Sequence, residues 1–210
     1  MRNYQNFMLF FTFFLFWFSI QFGDFVEDSV AFVLIVSLGI LHGANDLLIL
    51  AKGKNSNNSF LKHLLVYLMI IIACVLIYLL SPFVSILLFV LLSSYHFGEE
   101  HLGDKIKVNR FFNLTFYLSY GVFLFSILFY ASLAEVDEIM RELTGITFTE
   151  AQIAITFLIS LSVLLVLSGY LYFTKKILLI IIIKEAFYIC LLSLVFKTSS
   201  LILGFAIYFI

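Results

Sequence analysis

Long apolar runs, separated by short polar stretches, set the pattern of this chain. Runs over 7–22, 29–51, 63–80, 83–97, 111–133, 151–173 and 177–196 read as membrane-spanning helices. An eighth run begins near Leu201, and the sequence ends at Ile210. Ten helical residues rise about 15 Å, half of a hydrocarbon core of roughly 30 Å. The pattern predicts an all-α fold: a polytopic transmembrane helical bundle of seven helices plus the start of an eighth. It forms a single transmembrane domain over 1–210, whose last helix is expected to continue into a further segment. Loop 52–59 is a polar connector, and loop 134–150 carries a weak amphipathic pattern that suggests a short interfacial helix. Arg2 ahead of the run Phe7 to Phe22 resembles a secretion signal, but no small-residue cleavage site follows, so the run reads as a retained first helix.

Composition agrees with this pattern. Hydrophobic residues make up 63% and charged residues 12%, against about a quarter charged in soluble domains. A net charge of −1 gives no reason to expect a nucleic-acid partner. Cys74 and Cys190 fall in apolar runs and read as reduced, inert packing residues. Arg2, Lys52, Lys54, Lys62, Lys105, Lys107, Arg110, Lys175 and Lys176 all lie on the N-terminal side of the alternating loops. Only Arg141 and Lys197 lie opposite, and Lys184 is inside a helix. Lys and Arg accumulate on the cytoplasmic side, so a cytoplasmic N-terminus and a multi-pass location in the cell inner membrane are expected.

Against that apolar background, a few polar residues stand out. Within the run 29–51 lies Leu41-His42-Gly43-Ala44-Asn45-Asp46-Leu47-Leu48. Ionisable groups at membrane depth face a protein interior or a cavity and point to function. His42 and Asp46 are i and i+4, hence on one helix face. The expected orientation puts them in the cytoplasmic half, with Ser93, Ser94 and His96 on a second helix and Lys184 and Glu185 on a third. A single buried site needs that common depth. Neutral imidazole is the commonest protein metal ligand and, without thiolate, suits iron, zinc or copper. Asp46, Glu99, Glu100 and Glu185 are candidates to orient the imidazoles. His101, five residues after His96, joins such a site only if the helix breaks at Gly98. His63 beside Lys62 reads as interfacial. Taken singly, His42 and His96 have a plainer explanation as packing histidines. Most of the 27 Phe and 11 Tyr are lipid-facing or belt residues, the alternative being an apolar tunnel.

The two polar motifs carry a resemblance. His42-Gly43-Ala44-Asn45-Asp46-Leu47-Leu48 resembles the H-G-x-x-D-x-L signature of the Brp/Blh family, the bacteriorhodopsin-related membrane β-carotene 15,15′-dioxygenases. Ser93-Ser94-Tyr95-His96-Phe97-Gly98-Glu99-Glu100 resembles its second signature, S-x-x-H-F-G-E-E followed by Asp. Glu185 and the ending Gly204 to Phe209 are similar to the family's later part. The resemblance implies cleavage of the central double bond of β-carotene with O2 to two retinals, with Fe2+ as cofactor. It implies His42 and His96 as iron ligands, with Asp46 and Glu99 supporting; Glu185 remains a supporting candidate from its own position in the seventh run. His101 stands where the family usually has aspartate, and a further histidine pair is expected just past the aromatic ending.

Two other readings compete. A proton-coupled transporter would use His42, Asp46, Lys184 and Glu185 as a relay, but no paired broken helices or internal repeat support it. An inactive carotenoid-binding membrane protein is the other. The charge bias makes one prediction: a reporter fused at Asn57 is expected to be cytoplasmic, and a periplasmic signal overturns the assigned orientation.

Overall fold

A computed structural model of the chain describes residues 10, 13–14, 17–18, 20–23, 25–37, 57–103, 105–106 and 108–209, with backbone alone at 57–61, 63 and 209. Among these residues every regular element is helical: α1 (25–37), α2 (Asn57–Leu80), α3 (Pro82–Leu102), α4 (Arg110–Ala131), α5 (Leu133–Thr144), α6 (Glu150–Phe173), α7 (Leu179–Thr198) and α8 (Leu201–Phe209). Four of them, α3, α4, α6 and α7, are long and apolar enough to cross a membrane. The segment Leu64–Leu80 of α2 is a shorter apolar helix. The all-helical membrane architecture expected from the pattern is therefore present. The first run, 7–22, and the second half of 29–51 lie largely outside the described residues.

Local chemistry sets the helix ends. Ser81 is extended and its hydroxyl accepts from the Val84 amide, while Pro82 opens α3 where no amide donor is needed. The Asn109 side chain accepts from Phe112 N at 2.8 Å to start α4. Thr149 and Gln152 form a reciprocal capping box on α6. Gly145, at φ +73°, ends α5 in the left-handed conformation that favours glycine. Two extents differ from the sequence reading. α3 continues through His101 rather than stopping near residue 97, and α2 starts at Asn57 rather than 63. Polar side chains lowered the apparent apolar length, but they do not break a helix. The weak pattern at 134–150 resolves into α5, which buries Val136 and Met140 and leaves Ile139 and Leu143 exposed.

α4 is the hub: half of its apolar span is buried, against about a fifth for α3, α6 and α7. α3 runs antiparallel to it at backbone contact. A Cβ built on Gly98 falls 2.1 Å from the Tyr117 carbonyl oxygen, and one on Gly121 falls 2.1 Å from the Ser94 carbonyl oxygen. Small residues one turn apart, Ser94 and Gly98, form the small-xxx-small seam of close membrane packing. α8 enters the bundle beside them, burying Leu203, Gly204, Ala206 and Ile207. Its first amides are held by carboxylates from distant segments. Ser200 N donates to Glu27 at 2.8 Å, Ser200 Oγ to Asp28 at 2.6 Å, and Leu201 N to Glu135 at 3.0 Å. Residues 27–28, 135 and 200–201 thus share one end of the bundle, as the alternation of loops requires. Cys74 and Cys190 are free, as expected, but exposed on α2 and α7 rather than packed within the protein. Apolar runs alone do not separate lipid-facing from protein-facing positions.

Two stability predictions follow from this packing. Gly98→Ala sets a methyl against backbone that cannot rotate away, so a loss on the order of 1–3 kcal/mol is expected. The thermal midpoint in detergent should fall, and an unchanged midpoint contradicts the close seam. Glu27→Ala strips the acceptor from a buried amide at about 1–3 kcal/mol. Easier proteolysis around Ser200 checks it.

Candidate functional site

The last two turns of α3 carry the second polar motif, and the helix sorts its side chains by face. Tyr95 OH donates to Glu99 Oε1 at 2.8 Å, an i,i+4 pair along one side. His96 and Glu100 form the neighbouring i,i+4 pair, with Nε2 and Oε2 3.9 Å apart. Their side chains are 58% and 60% exposed. Phe97 and Gly98, between these pairs, point into the core.

His101 belongs to a different arrangement. α3 stays helical through Gly98, because that glycine serves close packing rather than a break. Five residues of unbroken helix turn His101 about 140° from His96. It meets α7: His101 Nε2 lies 2.5 Å from Glu185 Oε2. Lys105 Nζ donates to Glu185 Oε1 at 2.8 Å, and Tyr120 OH donates to Oε2 at 3.5 Å. The imidazole stacks on Tyr188 at 4.9 Å and on Tyr120 at 5.4 Å between ring centroids. The Glu185 side chain is only 16% exposed, so its charge needs these partners. The common depth expected of α3's polar end and Glu185 is thus realised through His101, not His96. Lys184, next to Glu185, is exposed.

Beside both groups lies a core of aromatic rings. Tyr208 of α8 packs 4.7 Å from Phe97 and 5.7 Å from Phe125 by ring centroids, with Phe196 at 6.4 Å. Phe205 bridges Phe89 and Phe125. The Ser94 and Tyr208 hydroxyls are buried in this region with no hydrogen-bond partner among the described residues.

His42, Gly43, Asn45 and Asp46 lie outside the described residues, as does the His63 side chain. Among the described residues no group of three or more His, Cys, Asp or Glu side chains is arranged to hold a metal. His96 and Glu100 are two donors of kinds that iron accepts, fewer than the three such side chains sought for a metal site among the described residues. Sequence reasoning missed Lys105, Tyr120 and Tyr188 as partners of His101 and Glu185. The i+4 spacing of Lys105 from His101 was a usable signal once α3 was extended. Nothing local marked the two tyrosines.

No curated protein and no solved structure matches the chain. A family model described as beta-carotene 15,15'-dioxygenase matches residues 33–210, a stretch that holds both histidine motifs and all of α2 to α8. The match spans most of the chain, so this membrane protein belongs to the beta-carotene 15,15'-dioxygenase family.

Proposed function

We propose that the chain cleaves the central double bond of β-carotene with O2, giving two molecules of retinal. The observation that carries this reading is the family match over 33–210, which takes in His42-Gly43-Ala44-Asn45-Asp46 and Ser93 to Glu100 together. His42 and His96 are the proposed iron ligands, with Asp46, Glu99 and Glu185 in support. Iron, when bound, would supply the activation of O2.

What this chain's own residues would do follows from their chemistry. The polyene is rigid and soluble only in lipid, so a helical bundle is suited to take it sideways from the bilayer. Rings such as Phe97, Phe125 and Phe205 pack into an apolar interior beside the α3 polar motif. A dry aromatic surround keeps water from a reactive site. The protein's part is to choose which double bond meets the cofactor. The proposed supporting carboxylates differ in their present contacts. Glu99 accepts from Tyr95, and Glu185 holds His101 and Lys105. Glu185 would therefore act by fixing α7 against the end of α3. A proton-relay transporter is less well supported, since Lys184 is exposed while Glu185 is paired with His101 and Lys105.

Expression in β-carotene-producing bacteria tests the proposal. Orange colour is expected to fade as retinal accumulates, and growth under labelled O2 should place label in the aldehyde oxygen. His96→Ala should cut retinal by about 100-fold or more, the loss expected for a metal-site residue. Cells that stay orange and make no retinal overturn the assignment.

A further inference from the structure

Four carboxylates were candidates to serve the imidazoles, and three of them are described: Glu99, Glu100 and Glu185. Two have other partners. Glu99 accepts from Tyr95 at 2.8 Å. Glu185 accepts from Lys105 at 2.8 Å and lies against His101 across α3 from His96. Glu100 alone of the three has its carboxylate beside His96, with 3.9 Å between Oε2 and Nε2.

That distance is too long for a hydrogen bond. It suits another arrangement. Two donors at about 2.1 Å from one ion sit roughly 3–4 Å apart. The pair is i,i+4 on a regular helix, the spacing that sets two ligands on one face. Both side chains are more than half exposed, and the observed separation already falls within that range. Moreover, it is the Nε2 edge that faces Glu100. A carboxylate that merely oriented a metal-bound imidazole would bond the opposite ring nitrogen.

We propose that Glu100 is a direct carboxylate ligand to the divalent cation held by His96, so that one turn of α3 supplies both a nitrogen and an oxygen donor. This rests on the reading of His96 as a metal ligand. The oxygen donor favours a harder, redox-active divalent ion such as Fe2+ over Cu(I).

Cobalt(II) binding to the full chain purified in detergent tests it, because Co2+ reports its ligands by its spectrum. Wild-type protein is expected to bind Co2+ saturably. Glu100→Gln should weaken binding by about 10-fold or more, with unchanged elution in size-exclusion chromatography. Glu100→Cys should add a thiolate-to-cobalt charge-transfer band in the near ultraviolet, absent from the wild type despite Cys74 and Cys190. Such a band requires sulfur at position 100 to bond the metal, which neither an orienting nor a merely structural role gives. Wild-type affinity in Glu100→Gln together with no new band in Glu100→Cys overturns the proposal. If that happens in a protein that still binds Co2+ and makes retinal, the dioxygenase reading stands. If the wild-type chain binds no Co2+, the proposal falls together with the metal role of His96.

Discussion

Two backbones touching where side chains are missing is the constraint on which the rest of this bundle depends. In a bilayer, lipid tails are as apolar as leucine, so helices gain little by hiding greasy faces from each other. They associate where they can come very close. Gly98 lets α3 meet the Tyr117 carbonyl, and Gly121 lets α4 meet that of Ser94. This double notch fixes the rotation of α3 about its axis. Once the rotation is fixed, the destination of every polar residue at its end is also fixed.

The outcome is a division between two faces. One face sends His101 inward, where Glu185, Lys105, Tyr120 and Tyr188 surround it. That cluster neutralises its own charge and satisfies its own donors, the condition for keeping ions away from water. The other face presents His96 and Glu100, more than half exposed and 3.9 Å apart. An exposed pair of this kind contributes little to stability. The inward cluster ties down the helix end from which the outward pair projects.

The sequence disclosed the bundle well and its details unevenly. Twenty-residue apolar runs leave few architectures, because backbone amides in lipid must be satisfied within the helix. The two motifs disclosed the family through the order and setting of a few polar residues. What the pattern did not reveal was direction. In a run apolar all round, no periodic stripe tells protein from lipid, so Cys74 and Cys190 looked buried and lie exposed. The roles of His101 and Glu185 depended on the helix passing unbroken through Gly98, which spacing alone left open. Ser94-x-x-x-Gly98 was readable as a packing seam, since small residues one turn apart carry that meaning anywhere. Partners 65 to 84 positions away, such as Tyr120 and His101 for Glu185, leave no trace in local sequence.

The carboxylates at the head of α8 bear on how such a bundle is put together. α8 is an apolar helix that follows α7 after only Ser199 and Ser200. Its opening amides would have nothing to bond in hydrocarbon. They are received by Glu27, from the beginning of the chain, and by Glu135, from its middle. The receiving groups are therefore synthesised long before the element they receive. α8 is in effect a late wedge, admitted to a slot that earlier helices have already shaped. Tyr208, on its last described turn, packs against Phe97 and Phe125, so the arrival of α8 adds a ring to an aromatic interior that earlier helices have begun.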